Sequence, residues 1–190
     1  MNRIISFITI TFLLTSCGRP APKKTAPERL TGYVDPFIGT GFHGHTFPGA
    51  AFPFGQIQLS PDNGTQGWDW CSGYHYSDSV LAGFSHLHLS GTGIGDLADI
   101  SFLPVTSAVT FQEGEKNSDF VSRYAGKYNH EEEAARPGYY SVLLKNNGVQ
   151  AEFTVSQRSG WHRYTFPENG PKNLIINLGF AINWDKPYQT

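Results

Sequence analysis

The stretch VDPFIGTGFHGHTFPGAAFPFGQIQLSPDNGTQGWDWCSGYHYSDSVLAGFSHLHLSGTGIGDLADISFLPV, residues 34–105, decides how this chain is read. Glycine, aromatic rings and histidine crowd it, and it contains no Lys or Arg. An ordinary β core would be richer in Val, Ile and Leu. This stretch instead offers flat ring faces, imidazoles and backbone that can approach a ligand closely, because glycine carries no Cβ and accepts φ > 0. A sugar ring matches such a surface, with C–H faces for stacking and hydroxyls for planar polar groups.

Pro or Gly interrupts the chain every few residues, which disfavours long helices. Residues 56–60 (QIQLS) alternate and stop at Pro61-Asp62-Asn63-Gly64, a turn signal. Residues 81–89 read as a second strand, with Phe84, His86 and His88 on one face. Residues 100–105 read as a short strand ended by Pro104. Residues 139–144 lead into Asn146-Asn147-Gly148, a hairpin turn that wants positive φ. Residues 150–156 follow, with Ala151, Phe153 and Val155 facing inward. Residues 161–166 and 174–178 are expected to complete a meander. The polar segment 112–127 reads as a surface loop, and 129–136 as one or two helical turns closed by Pro137-Gly138. An antiparallel β-sandwich is the natural architecture.

Composition bounds the partners. The chain has 190 residues, 16% charged, with a net charge of −2, and its basic residues form no stripe. That speaks against a nucleic-acid partner. Aromatic residues reach 14%, which suits β structure.

The N-terminus reads as an export signal. Arg3 precedes an apolar run at 4–14, the length of a signal-peptide core and short for a membrane span. Leu14-Thr15-Ser16-Cys17 has the form of a bacterial lipobox, which makes Cys17 the lipidated first residue after removal of residues 1–16. Gly18 after the cysteine favours the outer membrane. Residues 17–32, rich in Pro, Lys and Ala, read as a flexible tether, and residues 33–190 as the domain. Cys71 is then left without an internal disulfide partner and reads as a small buried residue.

Four constellations carry chemistry. Trp68-Asp69-Trp70 with Tyr74 and Tyr76 suits an aromatic platform beside a polar group, the alternative being core tryptophans. His43 and His45, and His86 and His88, are spaced to share a strand face; hydrogen bonding to sugar or backbone is preferred over a metal site. Gly91-Thr92-Gly93-Ile94-Gly95-Asp96 lacks the spacing of a phosphate loop and reads as a turn bringing backbone close to a ligand or a second domain. The carboxylates Asp62, Asp69, Asp78, Asp96 and Asp99 look like turn formers, and no pair stands out as an acid and base.

The blocks DPFIGTG, TFPGAAFPFGQIQLSPDN, GWDWCSGYHY and GFSHLHLSGTGIGD, with RPGYYSVLL and AEFTVSQRSGWHRYTFP downstream, closely resemble the N-terminal domain of glycoside hydrolase family 92, the calcium-dependent exo-α-mannosidases. The resemblance implies a β-sandwich preceding a helical barrel, with the sugar site between them. It implies that Gly41, Phe42, Trp68, Asp69, His86 and His88 position mannose. It places the general acid, the base and the calcium ligands in the barrel, outside this chain, so no catalytic residue and no metal ligand is assigned here. The expected function is the carbohydrate-binding front of an exported mannosidase acting on α-1,2-linked terminal mannose with inversion. By itself the chain is expected to be inactive, since the acid, the base and calcium all belong to the barrel, and the sandwich is expected to be incomplete at its C-terminal end. A second reading is a non-catalytic surface lipoprotein that binds mannosides. Mannose-containing glycans, the barrel, and a lipid membrane through Cys17 are the expected partners.

Overall fold

The structure is a computed structural model and describes residues 29–64 and 67–182. The signal segment, most of the tether, Cys17 and the last eight residues lie outside the described residues. In chain order the strands are β1 (Ala50–Ala51), β2 (Gln58–Asp62), β3 (Val80–Leu81), β4 (Gly83–Ser85) and β5 (Ser101–Val105). Helix α1 (Asn117–Tyr124) follows, then β6 (Gly126–Lys127), β7 (Glu133–Arg136), β8 (Tyr139–Leu144), β9 (Val149–Val155), β10 (Gly160–Thr165) and β11 (Asn173–Asn177).

Two antiparallel sheets make the sandwich. One runs β1-β2-β4-β5-β11, the other β10-β9-β8-β7, and β3 pairs separately with β6. The second sheet follows directly from alternation. On β9, Val149, Ala151 and Phe153 are buried while Gln150, Glu152 and Thr154 point outward. The turn before it contains Gly148 at φ 62°, as Asn146-Asn147-Gly148 requires. Tyr140, Val142 and Leu144 from β8 meet Leu59, Phe84, Leu103 and Ile175 from the first sheet in one continuous core. Burying such side chains stabilises by roughly 1.5–3 kcal/mol each.

The structure corrects several sequence expectations. Residues 174–178 do not extend the meander. β11 crosses back and pairs antiparallel with β5, with Ile175 opposite Leu103. Pro104 lies inside β5 rather than ending it. The strand expected at 81–89 splits at Ala82 and stops at Ser85, so His86 and His88 fall in the loop beyond it. The segment 112–127 is not all loop: α1 buries Phe120 and Tyr124, a pair at i, i+4 spacing. Residues 129–136 form a single 3-10 turn, His130–Glu132, and then β7.

Candidate functional site

The loop from Gly39 to Thr46 is shaped by its glycines. It turns sharply enough that a Cβ on Gly44 would sit 2.1 Å from the carbonyl oxygen of Gly39. This turn holds Phe42 and His45 at positive φ, 53° and 56°, a conformation that costs a side-chain-bearing residue energy and marks a constrained site. A hydrogen bond from Tyr76 N to Thr40 O (2.9 Å) and one from His75 Nε2 to Phe42 O (3.1 Å) fix the loop against the 74–76 segment.

A second segment meets it. Trp68, Asp69 and Trp70 occupy one 3-10 turn. His43 Nδ1 lies 2.7 Å and His45 Nε2 3.2 Å from the same oxygen of Asp69, Oδ1, so Oδ2 is engaged by neither. These imidazole bonds, that from His43 foremost, hold the Asp69 carboxyl below its ordinary range, opposed by a partial loss of hydration. The Trp68 ring packs edge-on against His45 at 4.3 Å and tilts toward His43 at 5.6 Å, and Phe42 lies 4.2 Å from His43.

The glycine turn at 91–95 completes the group. Trp68 Nε1 donates to Gly93 O at 2.9 Å, and a Cβ on Gly93 would stand 2.7 Å from that same nitrogen. Gly91 N donates to His45 O, and Cys71 Sγ reaches Thr92 O at 2.9 Å. Three loops thus converge on an indole that is half exposed and on a fully open Phe42 ring, 52% and 80% exposed respectively. Apolar ring faces beside a carboxylate and an imidazole are what a pyranose can use, stacking through its C–H face and bonding through its hydroxyls.

The structure therefore brings together Gly41, Phe42, Trp68 and Asp69. It adds His43 and His45, whose spacing points to hydrogen bonding with sugar or backbone before a metal, and whose partner proves to be the Asp69 carboxylate. Their signal was the spacing to Asp69, visible only once the loops meet. His86 and His88 do not join this group. His88 is buried, with Nε2 2.8 Å from Asp62 Oδ1 and Nδ1 2.8 Å from Gln58 O, and it braces the end of β2. His86 lies between the sheets, its Nε2 3.0 Å from His162 Nε2. Burial lowers the His86 pKa and pushes that of His162 down to about 4, so both rings are neutral at pH 7.

The platform of rings is smaller than expected. Tyr74 is wholly buried and donates to Glu133 Oε2, and Trp70 stacks on His75 while donating to Asp78 Oδ2 at 2.5 Å. Tyr76 remains half exposed, flat against His130 at 3.9 Å. Cys71 is buried and unpaired, and loss of hydration raises its thiol pKa. No cluster of three or more metal-binding side chains occurs among the described residues. A calcium ion demands six to eight oxygen ligands. The one carboxylate in the site already takes two imidazoles, so these residues do not fit a calcium site.

Residues 33–190 match the family model described as the glycosyl hydrolase family 92 N-terminal domain. The chain belongs to glycosyl hydrolase family 92. A family 92 α-mannosidase from Bacteroides thetaiotaomicron, solved in complex with mannoimidazole, is 43% identical with a TM-score of 0.74, over 82% of this chain and 20% of that one. A family 92 inverting mannosidase from the same organism is 26% identical with a TM-score of 0.62, over 77% and 19%. A protein of Arthroderma benhamiae described as an uncharacterized secreted glycosidase is 34% identical over 143 residues, 74% of this chain and 18% of that protein. The chain spans about a fifth of the length of the family 92 proteins it matches. No helix of the described residues is long and apolar enough to cross a membrane.

Proposed function

We propose that this chain supplies the N-terminal wall of the sugar site in an exported exo-α-mannosidase that removes terminal α-1,2-linked mannose with inversion. The observation that carries the reading is the convergence of Phe42, Trp68 and the His43–Asp69–His45 group on one exposed patch. Trp68 stacks the sugar ring, Phe42 and the Gly41 backbone border it, and Asp69, held ionised by two imidazoles, accepts hydroxyl hydrogen bonds. Two relatives named as mannosidases, one of them bound to mannoimidazole, support mannose as the sugar.

Inverting hydrolysis needs a general acid and a general base roughly 6.5–9.5 Å apart. Asp62 is fully buried under His88, Asp69 serves the two histidines, and Asp78 accepts from Trp70. We assign none of these as acid or base. Calcium and both catalytic carboxylates are proposed to come from outside this chain, which alone has no hydrolytic activity. We place the protein outside the cytoplasm as a lipoprotein anchored through Cys17 in the outer membrane.

The test is an NMR titration of the chain with mannoimidazole and with α-1,2-mannobiose, following the side chains of His43, His45 and Trp68. Millimolar binding confined to these residues, and lost in Trp68→Ala, is the expected result. Silence at this cluster at saturating sugar would overturn the assignment. A parallel assay should detect no mannose release, and EDTA-sensitive release would overturn the proposed division of catalytic labour.

A further inference from the structure

The outer face of the four-stranded sheet carries a second arrangement of the same chemical kind, away from the loops just described. Strand alternation sends Trp161 and Arg163 outward while His162 and Tyr164 turn inward. The register then sets side chains in rows across the sheet. Trp161 stands opposite Thr154, Thr154 opposite Tyr139, and Tyr139 opposite Arg136. In the next row Arg163 stands opposite Glu152, and Glu152 opposite Ser141.

These rows are built. Arg163 holds Glu152 with a two-pronged contact, Nε to Oε2 at 2.6 Å and Nη2 to Oε1 at 2.5 Å, and Tyr139 donates its hydroxyl to Glu152 Oε1 at 2.8 Å. Arg163 and Tyr139 together keep the Glu152 carboxyl below its ordinary range. The Arg136 guanidinium caps the Tyr139 ring at 4.5 Å. Against this braced polar group Trp161 is left open, at 65% exposure, with no ring contact and no hydrogen bond from its indole nitrogen among the described residues. Trp68, by contrast, spends its indole N–H on Gly93. The small side chain of Thr154 keeps the row between Trp161 and Tyr139 low, while Ser141, in the next row, is covered. Trp161 and Tyr139 lie two strands apart, roughly 10 Å, about the length of a disaccharide.

An indole with a free face and a free N–H, beside a fixed carboxylate–guanidinium pair, matches a sugar chain in the same way as the first patch. Nothing in the core needs Trp161 to be aromatic, since the inward positions of β10 are already filled by His162 and Tyr164. The salt bridge cancels the charge of Glu152 and Arg163, so the group beside Trp161 is neutral and suits a neutral ligand, with the Arg136 guanidinium held over the Tyr139 ring at the far edge of the row. We propose that this face is a second glycan-binding site, separate from the Trp68 patch, which takes an extended neutral oligosaccharide across strands β10 to β8. Trp161 stacks one sugar, and Glu152, Arg163 and the Tyr139 hydroxyl bond the hydroxyls of the next. Such a site would hold the protein on a polysaccharide without entering the hydrolytic site.

Affinity electrophoresis of the chain through gels containing soluble α-mannan tests this. The expected result is retardation that falls about tenfold in Trp161→Ala, falls partly in Glu152→Ala, and falls further when Trp68→Ala is added to Trp161→Ala, because the two patches hold mannan independently. Thermal melts control for folding, and Trp161→Phe should restore part of the binding. Retardation equal to wild type in Trp161→Ala, or retardation lost only in Trp68→Ala, would overturn the proposal while leaving the Trp68 site standing. Absence of retardation in wild type, with the Trp68 patch still responding to mannobiose by NMR, would also overturn it.

Discussion

At the scale of single residues, the site depends on contacts with no slack. Gly93 is the clearest case, because a methyl group there meets the Trp68 indole at 2.7 Å. Gly93→Ala is expected to displace Trp68, shift its fluorescence and weaken mannoside binding about tenfold, while the melting temperature moves by only a few degrees, since the loop is exposed. Unchanged emission and binding would mean that the turn yields instead of the ring. Asp69 makes a second prediction. Its carboxyl titrates below its ordinary value of 3.8, His43 being the largest cause. A folded pKa below the unfolded one contributes stability above the unfolded value, and that contribution is lost as pH falls through the folded one. His43→Ala should therefore raise the Asp69 midpoint in a carboxyl NMR titration; a midpoint that stays low would assign the effect to His45 or the backbone.

At the scale of elements, β7 and β11 carry the informative features. Glu133, in β7, is buried and accepts from Tyr74, Tyr140 (2.5 Å) and His130, tying the second sheet to the segment that carries His75 and Tyr76. Glu133→Ala leaves two buried tyrosine hydroxyls without their acceptor, at roughly 1–3 kcal/mol each. Urea denaturation should show a loss of that order, and a loss below about 1 kcal/mol would mean that the hydroxyls find other partners. β11 is the last strand of its sheet among the described residues, and its outward Leu174 and Ile176 are 45% and 55% exposed. An apolar edge of this kind invites pairing with other chains. Ile176→Lys is expected to raise the concentration at which light scattering detects association, without lowering the melting temperature, because Ile175 keeps the core contact. An unchanged onset would place the sticky surface elsewhere.

At the scale of the whole molecule, the two sheets are joined by more than apolar packing. His86, just beyond β4, and His162, on β10, meet nitrogen to nitrogen at 3.0 Å, and His162 Nδ1 reaches Tyr164 Oη at 2.7 Å. The ordinary histidine value is 6.5, and burial holds His162 down to about 4. The unfolded chain thus takes up protons that the folded one refuses, so this pair's contribution is full above pH 6.5 and is lost progressively down to about pH 4. Denaturation midpoints should fall across that window, and His162→Gln should flatten the fall. An equally steep profile in the variant would assign the acid sensitivity to other groups.

Much of this was legible in the chain itself. The alternation of 150–156 pointed Ala151 and Phe153 of β9 inward, and the Asn-Asn-Gly turn marked the hairpin before it, because side-chain period and turn chemistry are local properties. The family blocks singled out Gly41, Phe42, Trp68 and Asp69, whose loops the structure brings together. What sequence could not supply was long-range. The crossover of β11 to β5, the capture of Asp69 by His43 and His45, and the diversion of His86 to His162 and of His88 to Asp62 each join segments 24 to 76 residues apart. A two-residue spacing between histidines is compatible with many partners. Only the packed structure selects among them, because the loops and sheets bring Asp69 to His43 and His45, Asp62 and Ser85 to His88, and His162 to His86.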